Sequence, residues 1–91
     1  MYTVKPTVKF QKDIKRIKKR GYDLSLLTEV IKKLANGEPL PLKNKDHFLI
    51  GNFEGCRECH ISPDWILIYE IDNEFLFLYL TRTGTHSDLF K

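Results

Sequence analysis

Residues 65–80, with the sequence WILIYEIDNEFLFLYL, contain two continuous apolar runs, residues 65–69 and 75–80, on either side of a segment that includes an Asp-Asn pair. Short apolar runs between turn-forming residues are typical of strands, and continuous apolarity indicates strands that are covered on both faces. The Ser-Pro-Asp segment at 62–64 and the Asp-Asn pair at 72–73 are short enough to close tight hairpins. We therefore predict an antiparallel meander of three strands: Cys56–Ile61, Trp65–Ile71 and Glu74–Thr81.

Two amphipathic helices are predicted upstream of this meander. The first begins near Thr7 and ends at Gly21, and its apolar residues recur at helical spacing: Phe10, Ile14 and Ile17. The second begins with a cap at Asp23 or Ser25 and ends at the Asn-Gly pair at 36–37. Its apolar stripe contains Leu27, Val30, Ile31 and Leu34.

The remaining segments predict a short strand and a loop. Residues 2–5 alternate in polarity and are closed by Pro6, which favours a strand. Residues 38–46 contain two prolines and favour an extended loop. The expected fold class is α+β: an N-terminal strand, a two-helix hairpin, then an antiparallel meander sheet with the helices packed on one face. The other face of the sheet is then open for a functional site.

Length and hydropathy limit the class of protein. Ninety-one residues predict one domain, residues 1–91. The sequence has no apolar run of about 18 residues that could span a membrane, and its N-terminus lacks the apolar stretch of a signal peptide. We expect a cytoplasmic protein with no membrane partner.

Charge is distributed unevenly along the chain. Residues 1–46 contain twelve Lys and Arg against five Asp and Glu, a net charge of +7, and residues 47–91 contain three against seven, a net charge of −4. A basic half attracts a polyanion or an acidic protein over long range. A solvated, lysine-rich helix face would give the same count, so charge alone does not assign a partner.

Residues 56–60, Cys-Arg-Glu-Cys-His, match the spacing C-x-x-C-H of covalent haem attachment. The only methionine is Met1, so the commonest second axial ligand is missing. Alternation along a strand places Cys56 and Cys59 on opposite faces, which also argues against a disulfide. A zinc site of these thiols with His47 and His60 has weak support without a second pair of cysteines. We expect two reduced thiols, no cofactor and no metal.

All three histidines lie in the second half of the chain, near turns, strand ends and carboxylates: His47, His60 and His86. Imidazole is the side chain that exchanges protons near neutral pH. Glu58 and His60 share one face of a strand, since side chains alternate with period two. Arg82 and Gly84 precede His86, and an arginine with a glycine that lets backbone approach suits a phosphate group. These residues favour acid–base chemistry on a charged substrate.

Three residues close to the histidines in the sequence are as typical of structural roles as of functional ones. Asp64 is equally typical of a turn, and Trp65 of a core. Arg82 is equally typical of a surface ion pair.

Four motifs, in this order, resemble the YafQ-type toxins of the RelE superfamily, the ribonuclease components of bacterial toxin–antitoxin pairs. The motifs are Lys45-Asp46-His47, residues 55–60, residues 63–69 and residues 82–90, and the likeness extends over nearly the whole chain. The resemblance implies a sheet with an RNA-cleaving groove on the face opposite the helices. It also implies catalysis without metal, and an antitoxin that wraps the toxin and blocks the groove.

The positions that carry function in this family match five residues here: His47, His60, Asp64, His86 and Phe90. The resemblance implies cleavage of mRNA, in association with the ribosome, by attack of a ribose 2′-OH on the adjacent phosphorus. We expect His86 to be the general acid and His60 or Asp64 the general base, with His47 as another base or a phosphate clamp.

Three further roles are expected in the same mechanism. Arg82 is expected to stabilise phosphate charge, and Trp65 or Phe90 to stack on a base. Glu58, an aspartate in some relatives, is expected to contact the substrate.

Two other functions stay open. A ParE-like toxin that inhibits a DNA topoisomerase would share the topology without needing three clustered histidines. A plain RNA-binding module would use the basic first helix, and loss of His86 would leave its binding unchanged.

Overall fold

Five strands form one mixed sheet in the computed structural model, which describes residues 1–90. In chain order the elements are β1 (Thr3–Pro6), α1 (Val8–Lys19), α2 (Leu24–Ala35), β2 (His47–Phe48), β3 (Arg57–Ser62), β4 (Trp65–Asp72), β5 (Phe77–Gly84) and α3 (His86–Leu89). The strands stand in the order β1-β5-β4-β3-β2. Neighbouring strands are antiparallel, except that β1 runs parallel to β5.

Local sequence sets the ends of the two long helices. Thr7 caps α1, since its Oγ1 accepts the amide hydrogen of Phe10 at 3.0 Å, and Asp23 caps α2 by accepting from the amide of Ser25 at 3.0 Å. Gly21 separates the helices at a φ of 80°, a left-handed conformation that glycine adopts without a Cβ clash. None of the helices in residues 1–90 has the length and apolarity needed to cross a membrane.

Helices α1 and α2 cover one face of the sheet. Their apolar stripes pack against the inward side chains of β4 and β5 in the main core, which includes Phe10, Ile17, Leu27, Leu34, Trp65, Leu67, Tyr69 and Leu78. A smaller cluster lies apart from this core and contains Cys56, Ile66, Ile68 and Leu89. Strand β4 therefore contributes to both clusters. The predicted α+β class, with helices on one face of the sheet, is confirmed.

Two strand pairings were absent from the predictions. Strand β2 directly follows the segment 38–46 that was predicted to be a loop, in residues for which no strand was predicted. It pairs with β3 through His47 opposite Glu58 and Phe48 opposite Arg57. Strand β1 pairs with β5 in parallel, with Thr3 opposite Phe77, which makes the sheet mixed. The β2 pairing matters most for function because it brings His47 into the sheet.

The last strand also begins later than predicted, at Phe77 instead of Glu74. Oδ1 of Asp72 accepts the amide hydrogens of Glu74 and Phe75, at 2.9 and 3.1 Å, and Leu76 takes a left-handed φ of 57°. These contacts lengthen the turn, as expected when an aspartate bonds to the backbone two residues on. Phe75 and Leu76 are consequently exposed instead of covered.

A buried carboxylate joins α1 to β5. Asp13 is 1% exposed. Its Oδ2 accepts from Nε of Arg82 at 2.7 Å and from the amide of Thr83 at 3.1 Å, while its Oδ1 accepts from Nη2 of Arg82 at 3.1 Å. The hydrogen bonds from Arg82 to Asp13 raise the pKa of Arg82, which therefore keeps its positive charge. The pair fixes the end of β5, from which the chain continues to His86.

Candidate active site

Three imidazoles from distant parts of the chain meet at one end of the sheet. His47 on β2 stands opposite Glu58, His60 follows Glu58 by two residues on β3, and His86 is the first residue of α3. Nε2 of His47 lies 3.2 Å from Oε2 of Glu58, and Nε2 of His60 lies 3.8 Å from the same oxygen. The ring centres of His60 and His86 are 5.7 Å apart. With Asp64, which contacts His86, we call these residues the histidine cluster.

Each imidazole uses its Nδ1 to hold the ring in place. Nδ1 of His47 and Nδ1 of His60 lie 2.7 and 3.3 Å from backbone carbonyl oxygens, and Nδ1 of His86 lies 3.2 Å from Oδ1 of Asp64. Carbonyl and carboxylate oxygens accept hydrogen bonds, so each Nδ1 carries the hydrogen and donates it. Nε2 is therefore the nitrogen left for proton exchange in His60 and His86, while Nε2 of His47 lies 3.2 Å from Oε2 of Glu58.

Glu58 lies at the centre of the histidine cluster and is only 4% exposed. Its Oε2 is shared by His47 and His60. A carboxylate enclosed in this way has almost no surface with which to meet a substrate, which corrects the expectation that Glu58 contacts the RNA directly. Its position supports a role in orienting two imidazoles, as a carboxylate behind a catalytic histidine does.

Polar contacts around β3 hold the loop that carries His47. Oδ1 of Asp46 accepts from Nε of Arg57 at 3.1 Å and from the hydroxyl of Tyr69 at 2.6 Å. The ring of Phe48 lies under the guanidinium of Arg57, with 4.1 Å from Cζ to the ring centre. Because successive strand residues point to opposite faces, these contacts turn His47 towards the face of Glu58.

The short helix α3 carries His86 into the cluster. Thr85 caps it: Oγ1 of Thr85 accepts from the amide of Asp88 at 3.1 Å, and Oδ2 of Asp88 accepts from the amide of Thr85 at 2.9 Å. Leu89 is buried in the smaller apolar cluster. Phe90 is 42% exposed, and its ring centre is 5.9 Å from that of His86. An exposed ring beside His86 supports the expected stacking of Phe90 on a base.

Trp65 belongs to the main core instead of the site. It is 2% exposed, and its indole packs edge-on against Tyr22 with ring centres 5.1 Å apart. Its Nε1 donates to Oγ1 of Thr83 at 2.9 Å. The prediction that Trp65 stacks on a base is therefore wrong, because neither face of the indole is open to a ligand. The alternative, a core tryptophan with its N–H satisfied, is correct.

Arg82 shares the cluster's face of the sheet but is already paired. It stands opposite Ile68 on β4, and Ile68 stands opposite Glu58 on β3. Its Nε and Nη2 each donate one hydrogen to Asp13, so the two hydrogens of Nη1 and the second hydrogen of Nη2 are left for the expected contact with a phosphate. Strand register therefore brings Arg82 close to the histidine cluster, but Asp13 balances the positive charge of Arg82.

Two features beside His60 were missed from the sequence. Asn44 is buried, and its Nδ2 donates to the carbonyl oxygen of His60 at 2.7 Å, which ties the loop to β3. A cavity of about 430 Å³ next to His60 is lined in part by Lys43 and Lys45. These lysines place positive charge beside His60, whereas the charge of Arg82 is partly balanced by Asp13.

The two thiols take no part in the site. Cys56 packs in the smaller cluster and Cys59 in the main core, on opposite faces of the sheet as predicted. Both are free, and burial raises the pKa of both thiols, that of Cys59 to about 12. Neither is a thiolate at neutral pH, and the two do not combine with His47 and His60 in one metal site.

Three residues of the histidine cluster are placed so that they could bind a metal ion together. Glu58, His60 and His86 each offer one ligand atom, and these atoms lie within 4.8 Å of one another. Imidazole and carboxylate ligands suit Zn²⁺ or Cu²⁺. A metal ion at this position would compete with protons for the imidazole nitrogens.

Known proteins share both the sequence and the fold. A family model described as "Bacterial toxin of type II toxin-antitoxin system, YafQ" matches residues 2–91. The mRNA interferase toxin YafQ of Escherichia coli strain K12 is 43% identical over 82 residues, which cover 89% of this chain and 87% of that protein. A metal-bound toxin from Helicobacter pylori superposes with a TM-score of 0.93 at 46% identity, covering 99% of this chain and 100% of that one. A chain of the E. coli DinJ–YafQ complex superposes with a TM-score of 0.91 at 38% identity, covering 100% of both.

These similarities define the class of the protein: a small bacterial toxin with a RelE-like fold, of the type II toxin–antitoxin kind. Within that class the chain belongs to the YafQ family. The resemblance carried by the four sequence motifs is thereby confirmed.

Proposed function

We propose that this chain is the toxin of a type II toxin–antitoxin pair and an mRNA interferase whose histidine cluster cleaves the RNA backbone. It is an endoribonuclease, as the name of its E. coli relative indicates. The observation that carries the proposal is the meeting of three imidazoles, each held through Nδ1, beside one another at the end of the sheet.

The reaction is an in-line attack of a ribose 2′-OH on the adjacent phosphorus. A base takes the 2′ proton, donors stabilise the phosphorane oxygens, and an acid protonates the leaving 5′ oxygen. The upstream fragment ends in a 2′,3′-cyclic phosphate, or in the 3′-phosphate that its hydrolysis gives, and the downstream fragment begins with a 5′-hydroxyl. Two imidazoles that flank one phosphodiester can supply the base and the acid.

His86 is assigned as the general acid and His60 as the general base. Asp64 is the other candidate base, but its Oδ1 accepts from Nδ1 of His86, which favours an orienting role. His47 is separated from His86 by Glu58 and His60, so it is assigned as a clamp for a non-bridging phosphate oxygen. Phe90, next to His86, stacks on a base adjacent to the cleaved bond.

The pH dependence of cleavage tests the use of two imidazoles. We expect kcat on a defined RNA to follow a bell-shaped curve with its maximum between about pH 5 and 8. At low pH the base is protonated and inactive, and at high pH the acid has lost its proton. The measurement is kcat at constant ionic strength across this range. A curve that changes in one direction only would count against paired imidazole catalysis.

The effect of metal ions on the rate of RNA cleavage is a second test of catalysis by imidazoles. Because imidazoles supply the protons, we expect EDTA to leave the rate within about twofold of its value without EDTA. Added Zn²⁺ should lower the rate, since Glu58, His60 and His86 can bind it at the expense of proton exchange. Loss of activity with EDTA that a divalent ion restores would contradict the assignment.

Topoisomerase inhibition, the function of a ParE-like toxin, is the main alternative. It would not need the histidine cluster, whose geometry therefore favours the nuclease. Purified protein should be tested on defined RNA, with and without ribosomes, and in parallel on plasmid supercoiling by a topoisomerase. Cleavage of RNA without effect on supercoiling is the expected result, and the reverse pattern would overturn the proposal.

The partners follow from this function. The DinJ–YafQ complex contains a relative of this chain with its partner DinJ, and we propose a cognate antitoxin for this chain as well. We propose mRNA on the ribosome as the substrate, and the cytoplasm as the location in which toxin and mRNA meet. The net positive charge of residues 1–46 suits either an acidic antitoxin segment or ribosomal RNA.

A further inference from the structure

Charged side chains on α1 reach the end of β5 and the start of α3. Asp13 and Arg16 of α1 and Arg20 at its C-cap are spaced three and four residues apart, so they lie along one side of the helix. Nη1 of Arg20 donates to Oδ2 of Asp88 at 2.7 Å, and Nη2 donates to Oδ1 at 3.0 Å. Nη1 of Arg16 lies 3.7 Å from Oδ1 of Asp13 and 3.8 Å from Oδ1 of Asp88. Residues far apart in sequence thus form one line of ion pairs.

Asp88 is the point at which this line meets the turn that carries His86. Its Oδ2 accepts from both Arg20 and the backbone amide of Thr85, so one carboxylate caps α3 and binds α1. The hydrogen bonds from Arg20 lower the pKa of Asp88, which is therefore ionised at neutral pH. The approach is close: a Cβ at Gly84 would lie 2.9 Å from Oδ2 of Asp88.

Helix α3 needs such an external support. It has four residues, and a single helical turn is unstable on its own because nucleation is unfavourable. Its apolar anchorage is Leu89 in the smaller cluster and the edge-on contact of Phe90 with Phe53. The bidentate ion pair between Arg20 and Asp88 also fixes the orientation of α3, because a guanidinium and a carboxylate align in one plane.

We propose that Arg20 and Asp88 are positioning residues for RNA cleavage, which hold α3 so that Nε2 of His86 faces the phosphodiester beside His60. Neither side chain touches the substrate. Helix α1, which packs in the main core, thereby determines where His86 lies in the histidine cluster. This inference rests on the proposed role of His86 as the general acid.

Arg20→Gln tests the inference because it breaks the ion pair and leaves the capping box of Thr85 and Asp88 in place. Misplacement of a reacting group by about 1 Å can cost on the order of 10²-fold, and a partly freed α3 should lower kcat by about tenfold. KM should stay within about twofold, since the RNA contacts remain. Lys32→Gln, on the exposed side of α2, removes the same charge and should leave kcat unchanged.

The same change in a His86→Ala background separates positioning from a general loss of stability. If Arg20 acts through His86, Arg20→Gln should lower the residual rate by less than about twofold in that background. An equal loss in both backgrounds, or no loss in the wild-type background, would overturn the inference. The His86→Ala variant alone reports on the proposed role of His86: if it cleaves RNA at the wild-type rate, His86 is not the general acid, whatever the effect of Arg20→Gln.

A nuclear Overhauser measurement reads the position of His86 without any catalysis. Contacts between the ring protons of His86 and those of His60 and Phe90 are expected in the wild type, whose ring centres are 5.7 and 5.9 Å from that of His86. They should weaken in Arg20→Gln and persist in Lys32→Gln. Unchanged contacts in Arg20→Gln would overturn the positioning role even where kcat falls.

Discussion

Replacement of His86 by alanine is expected to lower the rate of RNA cleavage by at least about 100-fold, because proton transfer by a placed side chain is typically worth 10²–10⁴. The fold should survive, since the side chain of His86 is half-exposed and its polar contact with Asp64 lies at the surface. The measurement is kcat on a defined RNA, with the unfolding temperature and the circular dichroism spectrum recorded beside it.

Ser87→Ala is the matched control for this change. Ser87 is the exposed neighbour of His86 on the same short helix, so the substitution tests any general effect on α3. It should leave cleavage at the wild-type rate. Cleavage by His86→Ala close to that of Ser87→Ala would remove His86 from the mechanism.

Replacement of Asp13 by alanine is expected to have the largest effect on stability. The change leaves Arg82 without its partner and the amide of Thr83 without its acceptor. Breaking one side of a buried ion pair typically costs 3–5 kcal/mol, and we expect about 3 kcal/mol here because Arg82 is partly exposed. For a domain of this size, the unfolding temperature should then fall by about 15 °C. Thermal and urea unfolding both measure the loss.

Two companion substitutions define what Asp13 contributes. Asp13→Asn keeps an oxygen acceptor but removes the charge, so its stability should lie between those of the wild type and Asp13→Ala. Glu29→Ala removes an exposed carboxylate from α2 and should change stability by less than about 0.5 kcal/mol. A loss below about 1 kcal/mol in Asp13→Ala would show that the ion pair with Arg82 is not needed for the fold.

The sequence was most informative where physical patterns are local. Apolar runs and turn residues predicted the meander, and helical spacing predicted both long helices, the first beginning near Thr7 and the second with a cap at Asp23 or Ser25, of which Asp23 is the observed cap. Alternation placed Cys56 and Cys59 on opposite faces, as observed. In each case the deciding contacts lie within a few residues of one another.

Where a strand is covered on both faces, its sequence does not tell which face each residue takes. Trp65 begins a continuously apolar strand. Such a strand lacks the alternation of polar and apolar residues that would indicate which face each side chain takes. Its partner Thr83 is 18 residues away. The short strand β2 has only two residues, too few to show any period, and its pairing depends on Asp46 with Arg57 and Tyr69.

Asp13 carried a signal that sequence reasoning could have used. It lies three residues after Phe10 and four before Ile17, on the buried stripe of α1, although it is charged. A carboxylate on an apolar stripe requires a partner, and a buried charge of this kind points to a pairing elsewhere in the chain. The identity of that partner, 69 residues away, could not be predicted.

The chemical ends of the RNA fragments test the central claim most directly. If imidazoles of the histidine cluster drive attack by the ribose 2′-OH, purified protein should leave a 2′,3′-cyclic phosphate or a 3′-phosphate on the upstream fragment and a 5′-hydroxyl on the downstream one. Mass spectrometry of a short defined RNA after cleavage measures both ends. Fragments with a 3′-hydroxyl and a 5′-phosphate, the products of attack by water with the 3′ oxygen as leaving group, would contradict the account.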